Sequence, residues 1–297
     1  MEIWVVLALA AAFLQNLRSA LQKSLTGQVA VIGATYARFL FAAPWAMLVA
    51  VQLTSTSPGG RPGVTPAFFI WALIGASAQI AAQMLLLRLF TFRNFAVGNA
   101  LARTETILAA VVGAVLLGDW LGPWPMLGIL VSVAGVIVLS LRDRIAGRGF
   151  DGAAALTGIA CGLGFAFSSV SYRAASIGLE GDAGFLTRAA VTLAFVTLAQ
   201  TLAMSLWMRL RSPGAITAVL RAWRVAASVG LVGMLASLGW FAAFTLTSAA
   251  EVKAVGQVEL LFSIITARLA FGERPSSREI LGIILVAGGI VMLVLTG

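Results

Sequence analysis

Apolar residues fill this chain in runs about as long as a bilayer is thick, and polar residues collect in the gaps. A helix needs about 20 apolar residues to cross the hydrocarbon core. Ten segments meet that measure: 3–22, 29–53, 67–88, 94–117, 125–141, 153–172, 184–208, 225–246, 250–270 and 280–296. Backbone polar groups in lipid must be satisfied within the segment, so each run predicts an α-helix. The gaps carry turn chemistry, in SPGGRPGVTP at 57–66, GDWLGPWP at 118–125 and GERPSS at 272–277. The segment RDRIAGRGFDG at 142–152 falls at the middle and divides the chain into units 1–146 and 147–297, with five helices in each.

The two units repeat one another. ETILAAVVGAVLLGD at 105–119 aligns with ELLFSIITARLAFGE at 259–273, an offset of 154 that also carries Gly118, Gly128 and Gly135 onto Gly272, Gly282 and Gly289. Upstream, an offset of 150 superimposes Lys23 on Arg173 and Arg38 on Arg188. Five is odd, so the second unit enters the membrane from the opposite side. The expectation is an all-α membrane protein in which two inverted five-helix repeats enclose a central cavity.

Composition agrees with this class. Apolar residues make up 60% and charged residues 10%, with a mean hydropathy of +1.00, against roughly 25% charged content in soluble domains. The net charge of +9 arises mostly from Lys and Arg in short gaps, where they set orientation and meet anionic lipid, so no nucleic-acid partner is expected. Twelve of these, including Lys23, Arg88, Arg209, Arg211, Arg221 and Arg224, fall in odd-numbered loops, while the other side holds only Arg61, Arg173 and Lys253. The positive-inside rule then places the odd loops in the cytoplasm and both termini outside. The opening MEIWVVLALAAAFLQN lacks a basic n-region and reads as a retained first span.

Several chemistries drop out. Histidine is absent and Cys161 is the single cysteine, which removes disulfides, Cys/His zinc sites, His-ligated haem and any Ser-His-Asp triad within one chain. Cys161 reads as a small core residue. No Walker A pattern is present, so no nucleotide, metal or other cofactor is expected, and the chain does not read as an enzyme.

The paired segments LLGDWLGPWPMLGILVSVAGVIVL and LAFGERPSSREILGIILVAGGIVMLVL, with a basic residue ending the first span of each repeat and an Arg early in the second, resemble the doubled signature of EamA-type members of the drug/metabolite transporter superfamily. Where such proteins usually carry Pro in the fourth helix, this chain has Glu105 and Glu259. The resemblance implies a multi-pass protein of the bacterial plasma membrane, working as a monomer or weak dimer. It implies export of small metabolites such as amino acids or other zwitterions, by proton exchange. Export of lipophilic cations or drugs in the same fold is the alternative.

Ionised groups at bilayer depth are costly and are functional candidates by default. Here they are Arg38, Arg103, Glu105, Arg188, Glu259 and Arg268. Arg38 with Glu105, and Arg188 with Glu259, are depth-matched candidate ion pairs related by the repeat; each pair either locks helices or leaves a Glu to bind a proton. Arg103 lies about 200° around the helix from Glu105, and either receives a substrate carboxylate or pairs elsewhere. Its repeat equivalent is Gln257. The resemblance puts the first, third and fourth helices of each repeat around the cavity, which makes Gln15, Asn16, Gln79, Gln83, Asn99, Ser168, Ser171, Tyr172 and Gln257 candidates for lining it or for joining helices. Trp240, deep among small residues, is a candidate for stacking on a substrate, whereas Trp4, Trp120, Trp124, Trp207 and Trp223 read as interfacial anchors.

The loop charges generate a direct test. A reporter fused after Gly297 is expected to behave as periplasmic, and a cysteine placed near Ser212 should label only in permeabilised cells; a cytoplasmic reporter signal would overturn this orientation.

Overall fold

The computed structural model describes residues 2–92, 102, 104–140, 152–212, 214–259, 261–262, 265 and 277–296. Eleven helices are defined there: α1 (Ile3–Leu25), α2 (Val31–Thr56), α3 (Pro66–Phe92), α4 (Glu105–Leu117), α5 (Pro123–Ser140), α6 (Gly152–Ile177), α7 (Phe185–Arg211), α8 (Ala215–Arg221), α9 (Trp223–Leu246), α10 (Ala249–Gly256) and α11 (Ser277–Thr296). Most lie within a few residues of the expected segments. The short α8, in the gap before α9, has no counterpart in the hydropathy pattern.

Local chemistry explains where helices begin and end. Pro66 and Pro123 open α3 and α5, positions where the missing N–H costs nothing. Gly118 closes α4 in the left-handed region at φ 71°, where a Cβ would be strained. Ser248 caps α10 reciprocally: its hydroxyl accepts from the Glu251 amide while the Glu251 carboxylate accepts from the Ser248 amide.

Five helices are individually long and apolar enough to cross a membrane, α1, α2, α7, α9 and residues Pro66–Leu89 of α3; Glu105–Leu117 and Pro123–Gly135 are shorter apolar helices. Large apolar side chains point outward, among them Leu48, Val51, Val115, Leu206 and Leu210, while Arg18, Gln22, Gln83 and Gln200 are fully buried. This polarity, greasy outside and polar within, is that of a multi-pass membrane protein. Trp120, Trp124, Trp207 and Trp223 are exposed; Trp4, read as an anchor, is instead buried with its indole N–H on Glu2.

The main helix contacts are α5 with α11, α3 with α6, α1 with α9, α2 with α7, α2 with α9, α4 with α6 and α7 with α9, and α10 packs on α1 and α4. Small residues bring the backbones together. Gly239 of α9 meets Ala11 of α1, Gly164 of α6 meets Ala82 of α3, and Gly135 and Gly289 interlock α5 with α11. On one face, residue 63, in the α2–α3 connection, and residue 180, between α6 and α7, exchange two backbone hydrogen bonds of 2.9 Å. Arg188 gathers the same region by donating to the carbonyls of Ala183, Leu179 and Gly181.

The α5–α11 contact makes neighbouring glycines unequal. A Cβ at Gly289 would lie 2.5 Å from both the Gly128 carbonyl oxygen and the Ser132 nitrogen, whereas one at Gly288 would meet nothing within 4 Å. Gly289→Ala should lower stability by about 1–3 kcal/mol, the usual cost of overpacking, and Gly288→Ala should leave it nearly unchanged. Equal thermal shifts for the two purified variants would contradict this packing.

Candidate functional site

Both glutamates singled out in the sequence follow a turn in right-handed helical conformation. Thr104 forms a turn immediately before α4, so Glu105 is the first residue of that helix. Close packing permits this, because a Cβ at Gly162 of α6 would overlap the Thr104 side chain and the Glu105 amide. In the second half α10 tightens at its end: Gln257 and Val258 donate their amides three residues back, to Ala254 and Val255, each at 3.1 Å. Glu259 follows that turn. Thr104 and Val258 are separated by 154 residues, the repeat offset.

Between α1, α2, α3, α6, α9, α10 and the start of α4 lies a narrow cavity, partly open to solvent. Its floor of charge is a buried pair, Lys253 Nζ to Glu105 Oε2 at 3.2 Å. The same ammonium lies 5.2 Å from the centre of the Trp240 ring, 5.7 Å from Phe165 and 5.8 Å from Phe244. Carboxylate and aromatic faces thus replace the water that this cation has left.

Three polar groups surround this centre. Gln15 of α1 donates to Glu259 Oε2 and accepts from the Trp240 indole, each at 2.9 Å, so one amide connects the cavity wall to Glu259. Arg38 of α2 donates to Gln83 Oε1 at 2.6 Å and to Ser237 Oγ at 3.4 Å, and Gln83 continues to Gln22 at 3.3 Å. Tyr172 of α6 lies with its hydroxyl 2.9 Å from the Gly75 carbonyl and 3.0 Å from Gln79 Oε1. Gln200 donates to the same Gln79 oxygen at 2.8 Å, and Tyr172 stacks on Phe241 with ring centres 4.3 Å apart.

One end of the cavity is tied by Arg173. It pairs with Asp119 at 2.8 Å and donates to the carbonyls of Phe244 and Thr247 at 2.9 and 2.7 Å. The C-terminal ends of α6 and α9 and the chain just after α4 are thereby held together. Asp119 is the residue after the Gly118 cap, which turns the chain back towards α6.

These contacts correct the expected pairing. Arg38 does not pair with Glu105, which is bound by Lys253 instead; Arg38 meets uncharged groups. Arg188 does not pair with Glu259, because its guanidinium is spent on loop carbonyls. The physical reason is reach along the helix axis: matched depth says nothing of which faces oppose, and α10 presents Lys253 to the start of α4.

The remaining candidates divide between wall and scaffold. Gln15, Gln79, Glu105, Ser168, Tyr172 and Trp240 line the cavity together. Gln83 is buried behind Arg38, and Asn16 donates to the Glu259 carbonyl at 3.3 Å. Gln257 joins helices away from the cavity, accepting from Ser132 at 2.5 Å and donating to Thr106 at 3.0 Å. Asn99, Arg103 and Arg268 lie outside the described residues.

Lys253 and Arg18 escaped the sequence reading. Lys253 counted as a loop charge because it follows closely on the polar TSAAE stretch, and Arg18 stood near the expected end of the first span. α1 in fact continues to Leu25, which draws Arg18 inward.

Residues 154–295 match the EamA-like transporter family. The second half of the chain is therefore similar to that family. The match falls on the helices that contribute Tyr172, Trp240 and Lys253 to the cavity. A solved structure, titled only "Crystal structure of protein", has the same fold, with a TM-score of 0.73 at 19% identity over 98% of this chain and 96% of that one. No curated protein matches the sequence.

Breaking a buried ion pair from one side strands a charge, which costs about 3–5 kcal/mol. Glu105→Gln and Lys253→Met should each destabilise the protein to that order, and the double variant by less than the sum. A thermal-unfolding double-mutant cycle reads this, and strictly additive losses would show that the two groups are not coupled.

Proposed function

We propose that the protein is a secondary transporter of ten spans, arranged as inverted repeats over 1–146 and 147–297, which moves small metabolites such as amino acids out across the bacterial plasma membrane in exchange for protons. The observation that carries this reading is the polar cavity placed beside two turns that stand one repeat apart in sequence. The match of residues 154–295 to the EamA-like transporter family supports the same class.

The helix contacts support the symmetry. If each span is exchanged for its counterpart in the other unit, the contact of α1 with α9 becomes that of α6 with α3, and α1 with α10 becomes α6 with α4. The contacts of α2 with α7 and α5 with α11 map onto themselves. A cavity on such an axis can be closed first at one end and then at the other by equivalent movements of the two units. The Arg173–Asp119 pair is one such closure.

Export of lipophilic cations would need a cavity carboxylate open to the substrate. Glu105, the carboxylate in the wall, is engaged by Lys253, which favours the metabolite reading.

Glu259 is the proposed proton carrier, because Gln15 links it through Trp240 to the space a substrate would fill. Glu259→Gln should leave a folded protein that exchanges substrate across proteoliposomes but does not concentrate it against a pH gradient. Uphill transport at the parent rate would remove Glu259 from the coupling.

A further inference from the structure

The cavity treats its cations unequally. Lys253 is compensated on every side, by the Glu105 carboxylate and three aromatic rings. Arg38 is equally buried, at 4% exposure, yet its partners are the Gln83 amide, the Ser237 hydroxyl and the Phe39 ring at 5.2 Å, all uncharged. Arg18, a like charge, lies beside it: a Cβ at Gly233 would sit 3.2 Å from Arg18 Cδ and 3.5 Å from Arg38 Cγ. Arg38 also stands at the junction of two spaces, the main cavity and one of ≈ 260 Å³, which share Arg38, Gln79 and Ser237.

A guanidinium carries five N–H donors in a planar fork that fits a carboxylate. A buried cation with no counter-charge is costly, and neutral amides and hydroxyls offset only part of that cost. A helix-joining role would be met by a neutral side chain hydrogen-bonded to Gln83. What Arg38 adds is a positive charge bordering empty space on two sides.

We infer that Arg38 is the anion-binding residue of the cavity and that its ligand is an organic monocarboxylate, whose apolar body rests on Tyr172, Phe241 and Trp240. This rests on the transport reading and narrows its substrate class. The site that would suit an external cation, an acidic group ringed by aromatics, is already filled by Lys253 from the chain itself. The position that lacks a partner is the one for a negative charge.

The test uses the purified full-length protein in detergent, titrated by calorimetry and thermal shift with benzoate, benzamide, benzylamine and inorganic phosphate. Benzoate should bind about 10- to 100-fold more tightly than isosteric benzamide, the range for one charged hydrogen-bonding contact, and benzylamine should not bind. Arg38→Gln should abolish the preference for benzoate over benzamide, and Arg38→Lys should restore part of it. Ser237→Asp places a carboxylate beside Arg38, and should raise the thermal midpoint while eliminating benzoate binding, a combination that misfolding cannot produce.

The inference is overturned if benzamide or benzylamine binds as well as benzoate, if benzoate does not bind, or if Arg38→Gln keeps the preference. Phosphate displacing benzoate at lower concentration would make this an inorganic-anion site and overturn the organic ligand. Benzoate binding that depends on Arg38, without flux in proteoliposomes, would keep the site and reject the transport reading. Flux of other solutes with no carboxylate preference would do the reverse.

Discussion

A charge held in hydrocarbon must be solvated by the protein that carries it, and the interior of this molecule is arranged around that constraint. The Lys253–Glu105 pair is its centre. An ammonium and a carboxylate drawn from helices far apart in sequence come within 3.2 Å, with rings from α6 and α9 completing the shell. Neither group could be tolerated at its position without the other, so the placement of α10 against α4 follows from charge as much as from packing. Gln15, Trp240 and Gln257 then fill roles that the pair leaves open, bridging Glu259, closing the aromatic box and tying the turn after α10 to α5.

Local and long-range information were unequally visible in the sequence. Helix existence was legible because twenty apolar residues in a row have few alternatives, and their edges were legible from Pro66, Pro123 and Gly118. The expected kinship of the halves rests on glycines that recur at one spacing. Pairing was not legible. Depth along a helix can be counted from its start, but which face turns inward depends on the whole bundle, so Arg38 was assigned to Glu105 and Arg188 to Glu259. The same gap hid Lys253, whose charge looked like that of a loop because hydropathy alone cannot tell a helix start outside the membrane from one buried against Glu105.

The site was legible in its composition and less so in its division of labour. The long amides singled out in the sequence divide by their contacts: Gln15 and Gln79 face the cavity, Gln83 holds Arg38, and Gln257 joins helices. An amide can donate and accept at once, which suits it equally to a wet wall and to a dry joint. Only the neighbours decide, and for Gln257 those are Ser132 and Thr106, both buried.

The backbone exchange at residues 63 and 180 has its own consequence. Two hydrogen bonds in register join the chain just before α3 to the chain just after α6, in a molecule described elsewhere by side-chain contacts between spans. Side chains can slide past one another by changing rotamer, whereas this short backbone ladder either stays intact or opens. At that face α3 and α6 are stapled like the hinge end of a pair of tongs, and any large separation of the two helices has to develop at their other ends.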